Sequence, residues 1–303
     1  MAEFKFFCPQ CGQRIQCDTS YSGRQINCPV CQQAIVVPRA DGATPVPVKP
    51  QALRKVLVIA AWVAAFAGLI IVGWFGYSKI RIYVKSGHLP SGVVALWSGE
   101  GNGKDSIGGN NAVLTDISFA KGKVGQAFRF NGESSSIKIT ASPSLDVGAG
   151  DGFTITAWIK LSDVNKLHPI LGWNNGGGNA SQLGVEFYIS EDAGPGSLYA
   201  NVEDSNSQWH PIHSRVNPIK TDGFQYVALT YDKTSSLAEI YCNGTVVAKQ
   251  KLGSFTPQTT YNFYLGSRPS DEGLIFAGLM DEIAIYSRAL SASEIHAIYE
   301  KQK

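Results

Sequence analysis

From residue 92 onward, apolar and polar positions alternate in short bursts. Phe153-Thr-Ile-Thr-Ala-Trp-Ile-Lys160 alternates strictly, placing Phe153, Ile155, Ala157 and Ile159 on one face, the mark of a half-buried strand. Val93–Trp97, Ala127–Phe130, Gly184–Ile189, Leu198–Val202, Phe224–Tyr231 and Leu237–Cys242 repeat the pattern. Asn243-Gly244 predicts a type I′ hairpin into Thr245–Lys249. A helical signal comes only at the end, where Ser291-x-x-Glu294 makes a capping box ahead of Ile295, Ile298 and Tyr299. The expectation is a mainly β antiparallel two-sheet sandwich or jelly roll with a short C-terminal helix.

A different pattern precedes it. Val56–Tyr77 holds 22 residues without a charge, about 33 Å as a helix and enough for a hydrocarbon core of about 30 Å. Arg54 and Lys55 flank one end and Lys79, Arg81 and Lys85 the other, with Trp74, Phe75 and Tyr77 at the second boundary. The run predicts one uncleaved transmembrane helix, since a signal peptide starts near residue 1. The domain reading is a cysteine module over 1–38, a Pro-rich linker over 39–55, the span 56–77, a juxtamembrane linker 78–91 and the β domain 92–303.

Cys8-Pro-Gln-Cys11 and Cys28-Pro-Val-Cys31 form two Cys-x-x-Cys knuckles. Each aims two sulfurs at one point, and two knuckles complete a tetrahedral four-sulfur site. With Phe6, Phe7, Ile15, Ile26, Ile35 and Val36 around them, residues 3–38 resemble a zinc ribbon. The resemblance implies one structural zinc on Cys8, Cys11, Cys28 and Cys31, with no open position for catalysis. A redox or iron–sulfur role is the alternative, and Cys17 reads as a spare thiol.

Charge refines the picture. Residues 1–91 carry 10 Lys/Arg against 3 Asp/Glu, and residues 92–303 carry 16 against 21. The positive excess lies beside the apolar run, so no nucleic-acid partner is expected; a protein partner at the ribbon is. Flanking charges, four Lys/Arg before the run against three after, bias only weakly toward an inside N-terminus, and metal-holding thiolates persist in a reducing compartment. The expected localisation is therefore the inner membrane, single-pass, with the N-terminus cytosolic and the β domain outside.

Phe128-Arg-Phe-Asn-Gly132, Phe153–Trp158, Tyr226-Val-Ala-Leu-Thr-Tyr-Asp232, Ile240-Tyr-Cys-Asn-Gly244 and Gly278-Leu-Met-Asp-Glu-Ile-Ala-Ile-Tyr-Ser-Arg-Ala-Leu-Ser291 come in an order that resembles laminin-G-like jelly rolls. These belong to the concanavalin A-like lectin/glucanase superfamily, and the resemblance covers residues 92–300. It implies two packed antiparallel sheets, a concave outer face and loops at the rim. It also implies calcium held by Asp105, Asn110, Asn111 and Asp281, against the simpler reading of an Asx turn at Asp105 and a surface carboxylate at Asp281. Cys242 departs from the aliphatic residue usual at its position and is expected to be buried and inert.

The stretch richest in ligand-type side chains is Trp173–Gln182, with Trp173, Asn174, Asn175, Asn179 and Gln182, joined by Trp209 and by Tyr188 and Tyr199. Aromatic faces suit sugar CH groups and amides suit hydroxyls; a loop tip anchored by its Trp is the competing reading. No Glu-x-Asp-x-x-Glu string occurs. Glu203-Asp204 and Asp281-Glu282 are adjacent, so a regular strand would send them to opposite faces. The sequence thus points to a membrane-anchored, non-catalytic binding protein for carbohydrate or protein. A scaffold or signalling protein is the alternative, and a glycoside hydrolase the third.

Overall fold

A computed structural model describes residues 3–39, 89–176, 183–190, 194–269 and 274–303. They fall into two compact units, divided at residue 77. The described α-helix, α1 (Ala292–Gln302), is 11 residues long. Among the described residues no helix is long and apolar enough to cross a membrane. This corrects the single-pass inner-membrane localisation, and the run 56–77 behind it lies outside the described residues.

The first unit is two hairpins, β1 (Glu3–Phe7) with β2 (Arg14–Asp18) and β3 (Gln25–Asn27) with β4 (Ala34–Val36). A cysteine knuckle forms each bend. Gly12 N–H reaches Cys8 O at 2.9 Å and Gln32 N–H reaches Cys28 O at 2.9 Å. Both bends need a left-handed residue, supplied by Gly12 (φ 73) and Gln32 (φ 56). Phe6, Ile15, Ile35 and Val37 pack with Cys8 and Cys28 into a small core, while Phe7 and Val36 turn outward.

The second unit is a sandwich. One sheet runs β17 (Thr245–Lys251), β16 (Leu237–Cys242), β15 (Gln225–Asp232), β10 (Gly152–Leu161), β19 (Ala277–Tyr286), β8 (Gln126–Asn131) and β7 (Ser118–Lys121), with β5 (Val93–Trp97) also on β19. The facing sheet runs β14 (Pro211–His213), β13 (Ser197–Val202), β12 (Leu183–Ser190), β11 (His168–Asn174), β18 (Asn262–Leu265), β9 (Ser136–Ile139) and β6 (Val113–Thr115). The described pairings are antiparallel.

Alternation decides what each face buries. Phe153, Ile155, Ala157 and Ile159 enter the core between the sheets, as their spacing predicts. Trp158 on the opposite face joins Tyr226, Tyr241 and Tyr286 under Leu290, Ile295 and Ile298. Helix α1 thus seals the outer face of the larger sheet. The Ser291–Glu294 capping box forms, and Gln302 accepts a hydrogen bond from Trp158 Nε1 at 2.7 Å. At the β16–β17 turn Asn243 (φ 49) and Gly244 (φ 75) both take left-handed conformations, as a type I′ hairpin requires. Cys242 is buried, and burial pushes its thiol up to about 12.

One expectation about carboxylates fails on backbone geometry. The pairing between β10 and β19 shifts between Thr156 and Trp158, so β19 carries an extra residue, and Glu282 sits at φ 52. Met280 and Ile283 both enter the core. Asp281 and Glu282 between them therefore leave the core together, where a regular strand would have split them. Asp281 is also no surface carboxylate, being fully buried.

Candidate functional site

In the first unit the sulfurs of Cys8, Cys11, Cys28 and Cys31 all lie within 4.8 Å of one another. Cys8 and Cys31 are 3.8 Å apart and Cys11 and Cys28 3.7 Å. A tetrahedron with metal–sulfur bonds of about 2.3 Å has edges of about 3.8 Å. The quartet is therefore close enough to hold a metal. N–H groups of Cys31 and Val30 at its sulfur pull the Cys28 thiol down to about 6. Cys11 feels a similar contact from Gln13, yet desolvation and the sulfurs of Cys31, Cys8 and Cys28 push it up to about 12. Four crowded thiols cannot all ionise without a cation between them. Cys17 stands outside the quartet.

Of the calcium ligands expected from family resemblance, Asp105, Asn110 and Asn111 bond to one another, while Asp281 accepts from a different turn. Asp105 Oδ1 accepts N–H groups from Leu96 and Ile107, both at 2.9 Å. Its Oδ2 accepts those of Gly108 at 3.0 Å and Asn110 at 2.9 Å, and the Asn110 amide at 3.0 Å. Burial pushes its pKa up, but the N–H groups of Leu96, Ile107 and Asn110 outweigh this and hold it below the ordinary carboxylate range. Asn110 Oδ1 accepts from Ser142 and Ser144, and Asn111 Oδ1 from the Asp105 N–H. Asp281 instead accepts Val124 N–H at 2.8 Å, in the β7–β8 turn. A carboxylate ringed by donors already pins this loop, so a cation would meet N–H groups where it needs oxygens.

Of the expected ligand loop, Trp173 and Asn174 turn out to be buried. Trp173 is fully buried in β11, 4.6 Å from the Phe263 ring, so it touches the core and no ligand. Asn174 is buried and accepts Gly176 N–H at 2.6 Å, while Asn175 is exposed. Asn179 and Gln182 lie outside the described residues. Trp209 is 52% exposed, as a ligand contact would need.

Candidate chemistry gathers instead on the outer face of the smaller sheet. With Val185, Phe187 and Ile189 in the core, Glu186 and Tyr188 point out of β12; Tyr199 and Asn201 do the same from β13, and Glu203 follows just past its end. Cross-strand register aligns Pro169, Tyr188, Tyr199 and His213 in one row and Gly172, Glu186, Asn201 and Pro211 in the next. Tyr188 and Tyr199 stack at 4.6 Å. Arg268, beyond β18, pairs with Glu186 at 2.9 Å. A shallow, open cleft is lined by Pro169, Gly172, Asn174, Glu186, Tyr188 and Arg268, among others.

Behind the cleft, Asn201 Nδ2 and both oxygens of Glu203 are buried without a hydrogen-bond partner. Burial first, then the charges of Glu186 and Asp204, push Glu203 from 4.5 up to about 7, against the pull of Arg268. A carboxyl raised on folding binds its proton more tightly in the native state. Its contribution to stability is complete below about pH 4.5 and is lost as pH rises through 7. Glu203→Gln is therefore expected to stabilise the sandwich at pH 8, by up to about 3 kcal/mol, and to change little at pH 4. Parallel melting profiles of the two proteins from pH 4 to 8 would contradict this.

Two antiparallel sheets, an interleaved core and a polar, aromatic outer face define a lectin-type jelly roll. The chain belongs to the concanavalin A-like lectin/glucanases superfamily, whose laminin G-type family model matches residues 131–296. Botulinum neurotoxin type X from Clostridium botulinum is 23% identical over 218 residues, 68% of this chain and 16% of the toxin. The chain thus spans a small part of the curated relative it matches. Among solved structures, domain 4 of AbnA, an extracellular arabinanase from Geobacillus stearothermophilus solved with arabinotriose, aligns with TM-score 0.54 at 20% identity, covering 68% of this chain and 98% of that one. The binding domain of Paraclostridial Mosquitocidal Protein 1 aligns with TM-score 0.54 at 17% identity, over 69% of this chain and 52% of its own. At these identities the likeness is one of fold.

Proposed function

We propose that the sandwich is a non-catalytic binding domain that captures carbohydrate on the outer face of its smaller sheet, and that residues 3–38 hold one structural zinc. The carrying observation is the cleft where the Tyr188 ring, on the Tyr199 stack, borders the Glu186–Arg268 pair. An aromatic face beside charged hydrogen-bonding groups suits a sugar ring and its hydroxyls. The arabinanase domain of like fold, solved with a trisaccharide, adds support. A protein partner at the first unit is favoured separately by Phe7 (66% exposed) and Val30 (63%), large apolar side chains on the knuckles.

Calorimetric titration of the full chain with soluble oligosaccharides, arabino-oligosaccharides first, tests the carbohydrate reading. Saturable binding is expected. Tyr188→Ala should weaken it about tenfold, the scale of a lost aromatic contact, and Asn175→Ala should leave it unchanged. Loss in Asn175→Ala alone would return the site to the rim. Release of sugar by the purified protein would replace binding with hydrolysis.

A further inference from the structure

The charges around the cleft bear on which sugars it admits. Arg268 is the cation among the residues lining it, and its guanidinium lies 2.9 Å from Glu186. Glu203, one strand over, is 1% exposed and has no hydrogen-bond partner. It lies diagonally beyond Glu186, since Glu186 faces Asn201 and Glu203 comes two residues later, just past the end of β13. Asp204 follows, with His210 3.3 Å from it, and Asp204 also accepts the N–H groups of Asn206 and Gln208.

From this arrangement we infer that the cleft selects neutral sugars and rejects acidic ones, because Glu186 already neutralises its cation and a second carboxylate lies buried behind the pair. Among the described residues lining the cleft, a uronate or sialate carboxylate entering beside Tyr188 meets no cation other than Arg268, already paired with Glu186. It meets Glu203 instead, whose field is poorly screened because water is excluded from it. The device is repulsive: it costs a neutral ligand nothing and penalises an anionic competitor. Glu203 takes on charge as pH rises through neutrality, so the discrimination deepens there. The groups setting that charge are Glu186 on β12, Asp204 beside it and Arg268 beyond β18.

The inference rests on the carbohydrate-binding reading, and one experiment separates the two. The full chain is titrated with oligomers of glucose and of galactose and with the corresponding uronate oligomers of equal length, at pH 5 and pH 8.5. The expected result is a neutral ligand bound at least about tenfold more tightly than its uronate at pH 8.5, with the gap narrowing at pH 5. In Glu203→Gln the gap should be small and independent of pH. Equal binding of neutral and acidic members, or tighter binding of the uronate, overturns the inference and leaves the binding reading standing. A gap that persists unchanged in Glu203→Gln also overturns it, since the repulsion would then have another source. Binding of neither class overturns both.

Discussion

Chelating the metal should unfold residues 3–37 while the sandwich keeps its melting transition. The first unit has four strands of 3 to 5 residues in two separate two-stranded sheets. Two-stranded hairpins are marginal in water. Their shared core is Phe6, Ile15, Ile35 and Val37 with two cysteines, too little apolar area to offset the ordering of some 35 residues at about 1.5 kcal/mol each. On the zinc reading, metal binding would supply the folding free energy, on the order of 10 kcal/mol or more for zinc on four thiolates near neutral pH. Cys8→Ser should have the same effect as chelation, because Cys8 belongs both to the proposed zinc quartet and to the small core. Cys17→Ser should not. Backbone amide shifts of the full chain, with zinc counted per chain, read both outcomes. A dispersed spectrum of the first unit without metal would overturn the assignment.

Trp173→Ala should cost about 3–5 kcal/mol of sandwich stability, the range for a buried aromatic truncated to Ala. The ring is fully buried, 4.6 Å from Phe263 and edge-on to Phe153 at 6.4 Å. It bridges the sheets, because Phe153 lies on β10 and Phe263 on β18. Its indole Nε1 is buried without a partner, so Trp173→Phe sheds an unsatisfied donor along with its atoms and should cost far less. Urea midpoints at constant slope measure both. If Trp173→Ala abolished sugar binding with no loss of stability, Trp173 would belong to a ligand site after all.

These two sites mark how far the sequence could be read. The knuckles were legible because Cys-x-x-Cys is a local geometry, and the long strands because period-two alternation is a local pattern. Leu237–Cys242 and its Asn-Gly turn fall where the pattern puts them. Strands such as β6, β7, β9 and β14, of 3 or 4 residues, are too short to show a period. The bulge that turns Asp281 and Glu282 the same way depends on pairing with β10, which no single strand reveals. Trp173 looked like part of a loop because Asn and Gly follow it, yet Ile170-Leu171 before it already belonged to a strand. The cleft was half visible: Glu186 is polar between Val185 and Phe187, so it had to face outward. Its meeting with Glu203 and Arg268 joins three distant segments, and only the register of β11, β12, β13 and β18 brings them together.

The way the two sheets end governs what the sandwich does in crowded solution. The larger sheet stops at β17, which carries Lys249 and Lys251 and pairs irregularly with β16, and at β7, four residues ending in Lys121. The smaller one stops at β14, three residues opening with a proline that has no N–H to offer, and at β6, equally short. Each border is too brief, too cationic or too poor in donors to template a strand from another molecule. At these four borders a neighbouring copy finds little ladder to extend. A macromolecule that meets the domain at any of these four borders has to be gripped by side chains, one surface against another, without being stitched into its hydrogen-bonded fabric.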